Sequence, residues 1–335
     1  MQNQQIHTQN QEARPLVTFI VTCYNLPIQM LCECINSILA LSLSSDEREI
    51  IVVDDGSETS PMNGLMQYGT EILYVRQRNQ GVSSARNNAL RMAHGEFIQF
   101  VDGDDFLLEN PYNHCLDLIR NSQQPIDVVM FDFTKTLPIK DKESYNDSPL
   151  VTGSEYIRNH NIQGAAWCCL FRQAVRSELA FTPGIEYGED EEFTVQLMIR
   201  AEVVCVTDAK AYYYRQRKAS VVHQQDEGRK TKRLNDSLEV IVKLHFLEDR
   251  LPHNDRLALQ RRVAQLTMDY IYNIIMLTHS RKRLDSCLEE LSQQGLFPLP
   301  DRDYTQKYKW FRRMTNSAVG RTVLLTTLPL MKKER

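Results

Sequence analysis

Short apolar segments without polar alternation recur along the N-terminal third of the chain, interleaved with helical periods and closed by polar turns. Leu16–Thr22, Glu49–Val53, Ile72–Val75 and Glu96–Val101 read as strands. Ile28, Leu31, Ile35, Ile38 and Leu39 mark a helix over Pro27–Leu41, and a second helix is expected over Val82–Ala93, with Gly81 opening it and Ser83 and Ser84 as capping residues. A strand that is apolar on both faces needs cover on both faces. The alternation therefore predicts an α/β chain with a mostly parallel sheet flanked by helices. Ligands of such sheets gather beyond the carboxyl ends of the strands. Polar clusters stand there: Thr22-Cys23-Tyr24-Asn25, Asp54-Asp55-Gly56-Ser57 and Asp102-Gly103-Asp104-Asp105.

Beyond residue 125 the alternation loosens. Ile126–Thr134, Val203–Val206 and Ala211–Tyr214 read as strands, Asp190–Arg200 as a helix and Lys135–Leu150 as a loop. Helical periodicity dominates from about Asp226 to Gln294. The expected organisation is a disordered arm over 1–14, the α/β domain over 15–225, a helical C-terminal region over 226–300 and a basic, apolar tail over 301–335.

Composition removes several classes. With 335 residues, 42% hydrophobic and 24% charged, the chain is neither disordered nor a disulfide miniprotein. A net charge of −4 argues against a dedicated nucleic-acid binder. None of the eight cysteines forms a CxxC pair, so a zinc ribbon or thioredoxin-like site is not indicated. Met1–Arg14 is polar without an apolar core, so no signal peptide is read and a reduced, cytoplasmic setting is expected. GxGxxG, GxxxxGK[ST], GxSxG and HExxH are all absent from the sequence.

Asp102-Gly103-Asp104-Asp105 concentrates carboxylates that a hard divalent cation would compensate, or it is an acidic turn with Asp105 capping the next helix. Asp54-Asp55-Gly56-Ser57 is tight-turn chemistry placed at the same sheet edge. The helix opening at Gly81 offers free backbone donors beside Arg86, suited to an anion, or is a plain capped helix with a solvated arginine. Gly188-Glu189-Asp190-Glu191-Glu192 either enriches a first helical turn in acids or contains a general base. In Arg215–His223, cations could neutralise phosphate and His223 could ligate a metal, or remain a surface residue.

In order, Val17–Asn25, Ile51–Ser57, Asn79–Asn87, Gly95–Asp105, Gly188-Glu189-Asp190 and the Tyr214–Ser220 run resemble the family 2 inverting glycosyltransferases of the GT-A fold, of the bacterial polysaccharide type. The resemblance spans residues ~15–225, about two thirds of the chain. It implies that Thr22, Tyr24 and Asn25 line a nucleotide pocket, that Asp54 accepts from a uracil imide and that Asp55 shapes the turn. It places Arg86 near the nucleotide and its phosphates, Asp102 on the ribose, Asp104 on Mn²⁺ or Mg²⁺, Asp190 as catalytic base and His223 as a further metal or phosphate ligand. Glu189, Glu191 and Glu192 are expected to raise the base's pKa by like-charge repulsion. The implied reaction moves a sugar from a nucleotide-sugar, a UDP-sugar, to a hydroxyl of a saccharide or lipid-linked saccharide, in cell-surface polysaccharide synthesis. A sugar nucleotidyltransferase and an inactive nucleotide-sugar-binding protein are the rival readings; no nucleic acid is expected as a partner.

The tail is charged apart from the rest. Nine Lys/Arg against three acids between Asp301 and Arg335 give +6, leaving −10 on the remainder of a −4 chain. With Tyr308, Trp310, Phe311 and an apolar run from Val323 to Met331, it reads either as a peripheral contact with the inner face of a membrane or as a terminal helix packed on the protein. Gly320 and Pro329 interrupt any single amphipathic helix there.

Overall fold

A computed structural model describes residues 14–137, 144–216 and 227–331. The chain begins β1 (Val17–Cys23), α1 (Ile28–Leu39), β2 (Arg48–Asp54), α2 (Met62–Leu65) and β3 (Leu73–Arg76). It continues α3 (Val82–Met92), β4 (Phe97–Asp102), β5 (Phe106–Leu107), α4 (Glu109–Asn121) and β6 (Val128–Thr134). Then come α5 (Gly153–Asn159), β7 (Cys169–Arg172), α6 (Gln173–Arg176), α7 (Glu189–Arg200) and β8 (Val204–Tyr213). Five helices follow: α8 (Glu227–Leu247), α9 (His253–Thr278), α10 (Arg281–Gln293), α11 (Gln306–Asn316) and α12 (Ala318–Met331). Nearly the whole expected arm, and the domain boundary expected near 225, lie outside the described residues.

The strands form one sheet in the order β3-β2-β1-β4-β7-β6-β8-β5. The first four run parallel, and all seven residues of β1 are buried, as strands covered on both faces should be. Thr22 stands in register with Val53 and Asp102, and Cys23 with Asp54, so three polar clusters meet on one edge. The second half, where the alternation loosens in the sequence, is mixed. β7 runs antiparallel to both β4 and β6, because the turn before it, Ala166–Cys168, already sits at the edge where β4 ends. β8 pairs parallel with β6 and antiparallel with β5. The two strands read at Val203–Val206 and Ala211–Tyr214 are one: buried Thr207 and Ala209 alternate with outward Asp208 and Lys210, so the polar middle continues the pleat.

The helical region docks on the α/β half through α9. Arg261 Nη1 donates to the Ile157 and His160 carbonyls at 2.8 Å, and Ser154 Oγ donates to Asp255 at 2.6 Å. The tail residues form two helices that break at Ser317, and α12 runs on through Gly320 and Pro329. Phe311 and Leu324 are buried, whereas Trp310, Val319, Val323 and Leu330 stay exposed. Among the described residues no helix is long and apolar enough to cross a membrane.

Candidate active site

The turn after β2 is built by its own carboxylates. Asp54 is fully buried; it accepts from Ser57 N at 2.9 Å and Tyr74 OH at 3.0 Å, and Arg76 Nε lies 3.4 Å away. In this conformation Asp54 would act on a ligand through Tyr74 and Arg76 rather than directly. Asp55 accepts from Gln77 Nε2 at 2.7 Å and from the Gln80 and Gly81 amides at 2.9 and 2.8 Å. The anion on the N-terminus of α3 is therefore this carboxylate, so part of the expected anion site is already filled from within. Gly56 sits at φ +76°, and a Cβ there would lie 2.6 Å from the Asn79 amide, so the turn needs a bare backbone. Asn25, at φ +48°, donates its backbone N–H to Ser57 Oγ and accepts from the Glu58 N–H, both at 2.8 Å, while Tyr24 at the end of β1 is exposed.

Ser83 and Ser84 do not cap α3. Gly81 holds the capping position, and Ser83 Oγ donates to the Ile185 carbonyl at 3.3 Å, tying α3 to the approach of α7. Arg86, one turn further, is not solvated. Its guanidinium lies 5.6 Å from the Phe100 ring centroid and 5.1 Å from that of Phe181. Phe181, Phe193 and Phe171 pack around Phe100, which makes this wall rigid and dry. Nη2 donates to Asp102 Oδ1 at 3.0 Å, Nη1 pairs with Asp190 Oδ1, and Glu189 Oε1 is 3.9 Å from Nη1. One cation thus collects a carboxylate from the end of β4 and two from the start of α7.

Burial pushes Asp190 above its ordinary carboxylate range; Arg86 and a hydrogen bond from the Ala166 backbone N–H oppose this, and Asp102 adds to it. Burial and the Asp190 charge push Glu189 up to about 8. The expected repulsion from Glu191 and Glu192 is replaced by that of Asp102, because those two side chains turn away. Glu191 pairs with Arg262 at 2.6 Å, and Glu192 accepts from Thr182 Oγ1 at 2.9 Å. A helix rotates successive side chains by ~100°, so sequence neighbours of a base need not face it.

Asp105 does not cap the helix that follows. It is buried, accepts from Tyr212 OH at 2.9 Å and Arg215 N at 2.7 Å, and is pushed up to about 8 by burial and by Asp102 and Asp104. Arg215 Nε donates to the Asp104 carbonyl at 2.8 Å, fastening the end of β8 to the carboxylate turn. Asp104 itself is half-buried. His223 lies outside the described residues.

The sequence reading left one strand end without a candidate. A cleft of about 520 Å³ beside the Gly56 turn is lined by Arg76, which ends β3, and by Gln77, Arg78 and Asn79, which follow it. The rule applied to the other parallel strands, that ligands collect at their carboxyl ends, also picks out this segment. Ala166, which donates its amide to Asp190, carried no side-chain signal that could have found it.

Residues 18–179 match the family described as Glycosyl transferase family 2. The uncharacterized glycosyltransferase EpsJ of Bacillus subtilis is 30% identical over 218 residues, covering 60% of this chain and 61% of EpsJ. The poly(ribitol-phosphate) beta-N-acetylglucosaminyltransferase TarS of Staphylococcus aureus is 25% identical over 201 residues, covering 58% of this chain and 34% of TarS. The matched region thus spans less than two thirds of these curated relatives. The crystal structure of S. aureus TarS 1–349 in complex with UDP-GlcNAc aligns at TM-score 0.67 and 18% identity, covering 95% of this chain and 91% of that one. The mannosyltransferase PcManGT of Pyrobaculum calidifontis, in complex with GDP-Man and Mn2+, aligns at TM-score 0.53 and 15% identity, covering 96% and 88%. These structural likenesses establish the fold.

Proposed function

The chain carries a family 2 glycosyltransferase domain of the GT-A fold, and from that premise we propose that it transfers a sugar from a UDP-sugar to an acceptor hydroxyl with inversion, in polysaccharide synthesis. The observation that carries this reading is the Arg86 cluster, which gathers Asp102 and Asp190 at the carboxyl edge of the parallel strands. The UDP-GlcNAc bound to TarS supports the donor class.

The geometry supports the following division of roles. The turn of Asp54, Asp55 and Gly56, with Thr22, Tyr24, Asn25 and the Arg76–Asn79 cleft, receives the nucleotide, and Asp102 contacts the ribose. Asp190 accepts the proton of the attacking hydroxyl, and Arg86 keeps its carboxylate ionised and aimed. A single displacement on the anomeric carbon leaves no covalent intermediate and inverts the configuration.

The half-buried carboxylates of the turn, Asp102 and Asp104, offer hard oxygens, which suit Mn²⁺ or Mg²⁺. Among the described residues no group of three His, Cys, Asp or Glu side chains is gathered to hold an ion. Asp104, with Asp102 beside it, would therefore share the metal with the donor diphosphate, and His223 is a further ligand in this reading. When bound, the ion stabilises charge on the departing diphosphate, so no general acid is required.

The tail's exposed residues support a location at the inner face of the cytoplasmic membrane, where a lipid-linked saccharide would be met. Lys307, Trp310 and Arg313 recur at intervals of three on α11, and Val319, Val323 and Leu330 are exposed on α12. Basic and aromatic side chains together suit an anionic interface.

UDP release from a panel of UDP-sugars with Mn²⁺ tests the central claim. Turnover with at least one donor is expected. Binding without turnover would identify an inactive sugar-nucleotide binder, and pyrophosphate-dependent UTP formation would identify a nucleotidyltransferase.

A further inference from the structure

The first turn of α7 carries four consecutive acids, Glu189, Asp190, Glu191 and Glu192. The helix dipole would favour them there even in solvent. Instead they are held from three sides. Glu189 and Asp190 face Arg86 of α3, Glu191 pairs with Arg262 of α9, and Glu192 accepts from Thr182 Oγ1. Two buried arginines thus hold the turn of the proposed base, one from the α/β half and one from the helical C-terminal region.

Arg262 reaches Glu191 with both arms of its fork. Nε donates to Oε1 at 2.7 Å and Nη2 to Oε2 at 2.6 Å, which fixes the carboxylate in plane as well as in distance. Glu191 in turn bears on the segment 161–166. Gly164 packs so close that a Cβ there would lie 3.1 Å from Glu191 Cα and collide with its carboxylate. Two residues further on, the Ala166 N–H donates to Asp190. The same helix holds the start of this segment: Gln265 Nε2 donates to Asn161 Oδ1 at 2.6 Å, and Arg261 Nη1 to the His160 carbonyl at 2.8 Å. So α9 fixes both the chain neighbour of Asp190 and the segment that gives Asp190 a backbone donor. Arg261, Arg262 and Gln265 are all buried. At such places apolar side chains of like volume commonly serve stability as well as an ion pair or better. Stability alone therefore does not account for the charged pair.

We infer that Arg262 is a positioning residue for sugar transfer: through Glu191 and the segment 164–166 it sets the orientation of the Asp190 carboxylate. The inference rests on the glycosyl-transfer reading above and adds a residue to it. The helical C-terminal region then acts on the chemical step and not on donor binding, because the nucleotide edge of the sheet lies on the other side of Asp190, toward Arg86 and Asp102.

Three variants of the full chain test it. Arg262→Lys keeps the charge but loses the fork. Glu191→Met with Arg262→Met replaces the pair by apolar volume, which preserves the fold even where the lysine variant does not. Ser154→Ala cuts the bond to Asp255 and loosens the same docking of α9 at a place remote from the base. The readouts are kcat for UDP release, UDP affinity by calorimetry and hydrogen exchange of the Ala166 amide. Both Arg262 variants should lower kcat about ten- to a hundredfold and speed Ala166 exchange about three- to tenfold. Their UDP affinity should stay within about twofold, and Ser154→Ala should leave all three readouts within about twofold. Unchanged Ala166 exchange in both Arg262 variants overturns the inference. So does a kcat that falls no further than in Ser154→Ala, or a UDP affinity that falls in step with kcat. A wild-type chain that binds UDP but releases none from any donor would count against the transfer reading instead; Ala166 exchange, which needs no turnover, then still decides whether Arg262 sets the surroundings of Asp190.

Discussion

Arg86 Nη2 stands 3.0 Å from Asp102 Oδ1, and the other terminal nitrogen of the same guanidinium pairs with Asp190. The strand that ends in the carboxylate turn and the helix that carries the proposed base are therefore held by one side chain, of which 3% is exposed.

Removing that side chain leaves two partly buried carboxylates, 29% and 17% exposed, without their cation, so the loss falls toward the low end of what a fully buried pair would cost. Breaking a buried pair by deleting one partner costs about 3–5 kcal/mol. Arg86→Met should lower the unfolding free energy by an amount of that order in urea titrations and abolish UDP release. Unaltered stability would mean that the carboxylates are hydrated in solution and that the pair is not buried.

Asp190→Asn keeps the shape of the site but cannot accept a proton. Transfer should fall about 10²- to 10⁴-fold, while UDP affinity by calorimetry remains within a few-fold. Near-normal turnover would move the base to Glu189, 3.9 Å from the same arginine.

The base must be ionised to work, and burial holds Asp190 above its ordinary value. Activity should therefore decline on acidification through a pH above the usual carboxylate range of about 4. A pH profile of kcat is the check; an acid limb at or below that value would show that Arg86 outweighs burial.

Asp104→Ala should remove the metal dependence of donor binding without unfolding the chain. Calorimetry of UDP-sugar with and without Mn²⁺ reads this directly, and an undiminished metal-dependent affinity would exclude Asp104 as a ligand.

Gly153, the first residue of α5, faces the backbone of α7. A Cβ there would lie 1.9 Å from the Met198 carbonyl oxygen. Gly153→Ala must push the two helices apart and should cost about 1–3 kcal/mol in chemical denaturation.

The tail makes a separate claim. Full-length protein should float with anionic liposomes at low salt, each basic residue near the surface adding about 1 kcal/mol, and Trp310→Ala with Lys307→Glu should sink. Equal behaviour of the two would leave α11 and α12 as packing elements alone.

Much of this was legible in the chain itself. Unalternating apolar runs dictate strands covered on both faces, and the polar residues that end β1, β2 and β4 had to meet at one edge once those strands ran parallel. Period and polarity are local properties, so Asp102, Asp104 and Asp190 could be singled out from spacing and family resemblance before any coordinates. The direction of β7, the turning of Glu191 toward Arg262 rather than toward Asp190, and the seating of Asp55 on the start of α3 were decided only by tertiary packing. So was the bridge from Arg86 to Asp190, which joins residues 104 positions apart. Those outcomes depend on which face of a helix meets which neighbour, and on the cost of leaving a buried charge without a partner; neither quantity is set by sequence spacing.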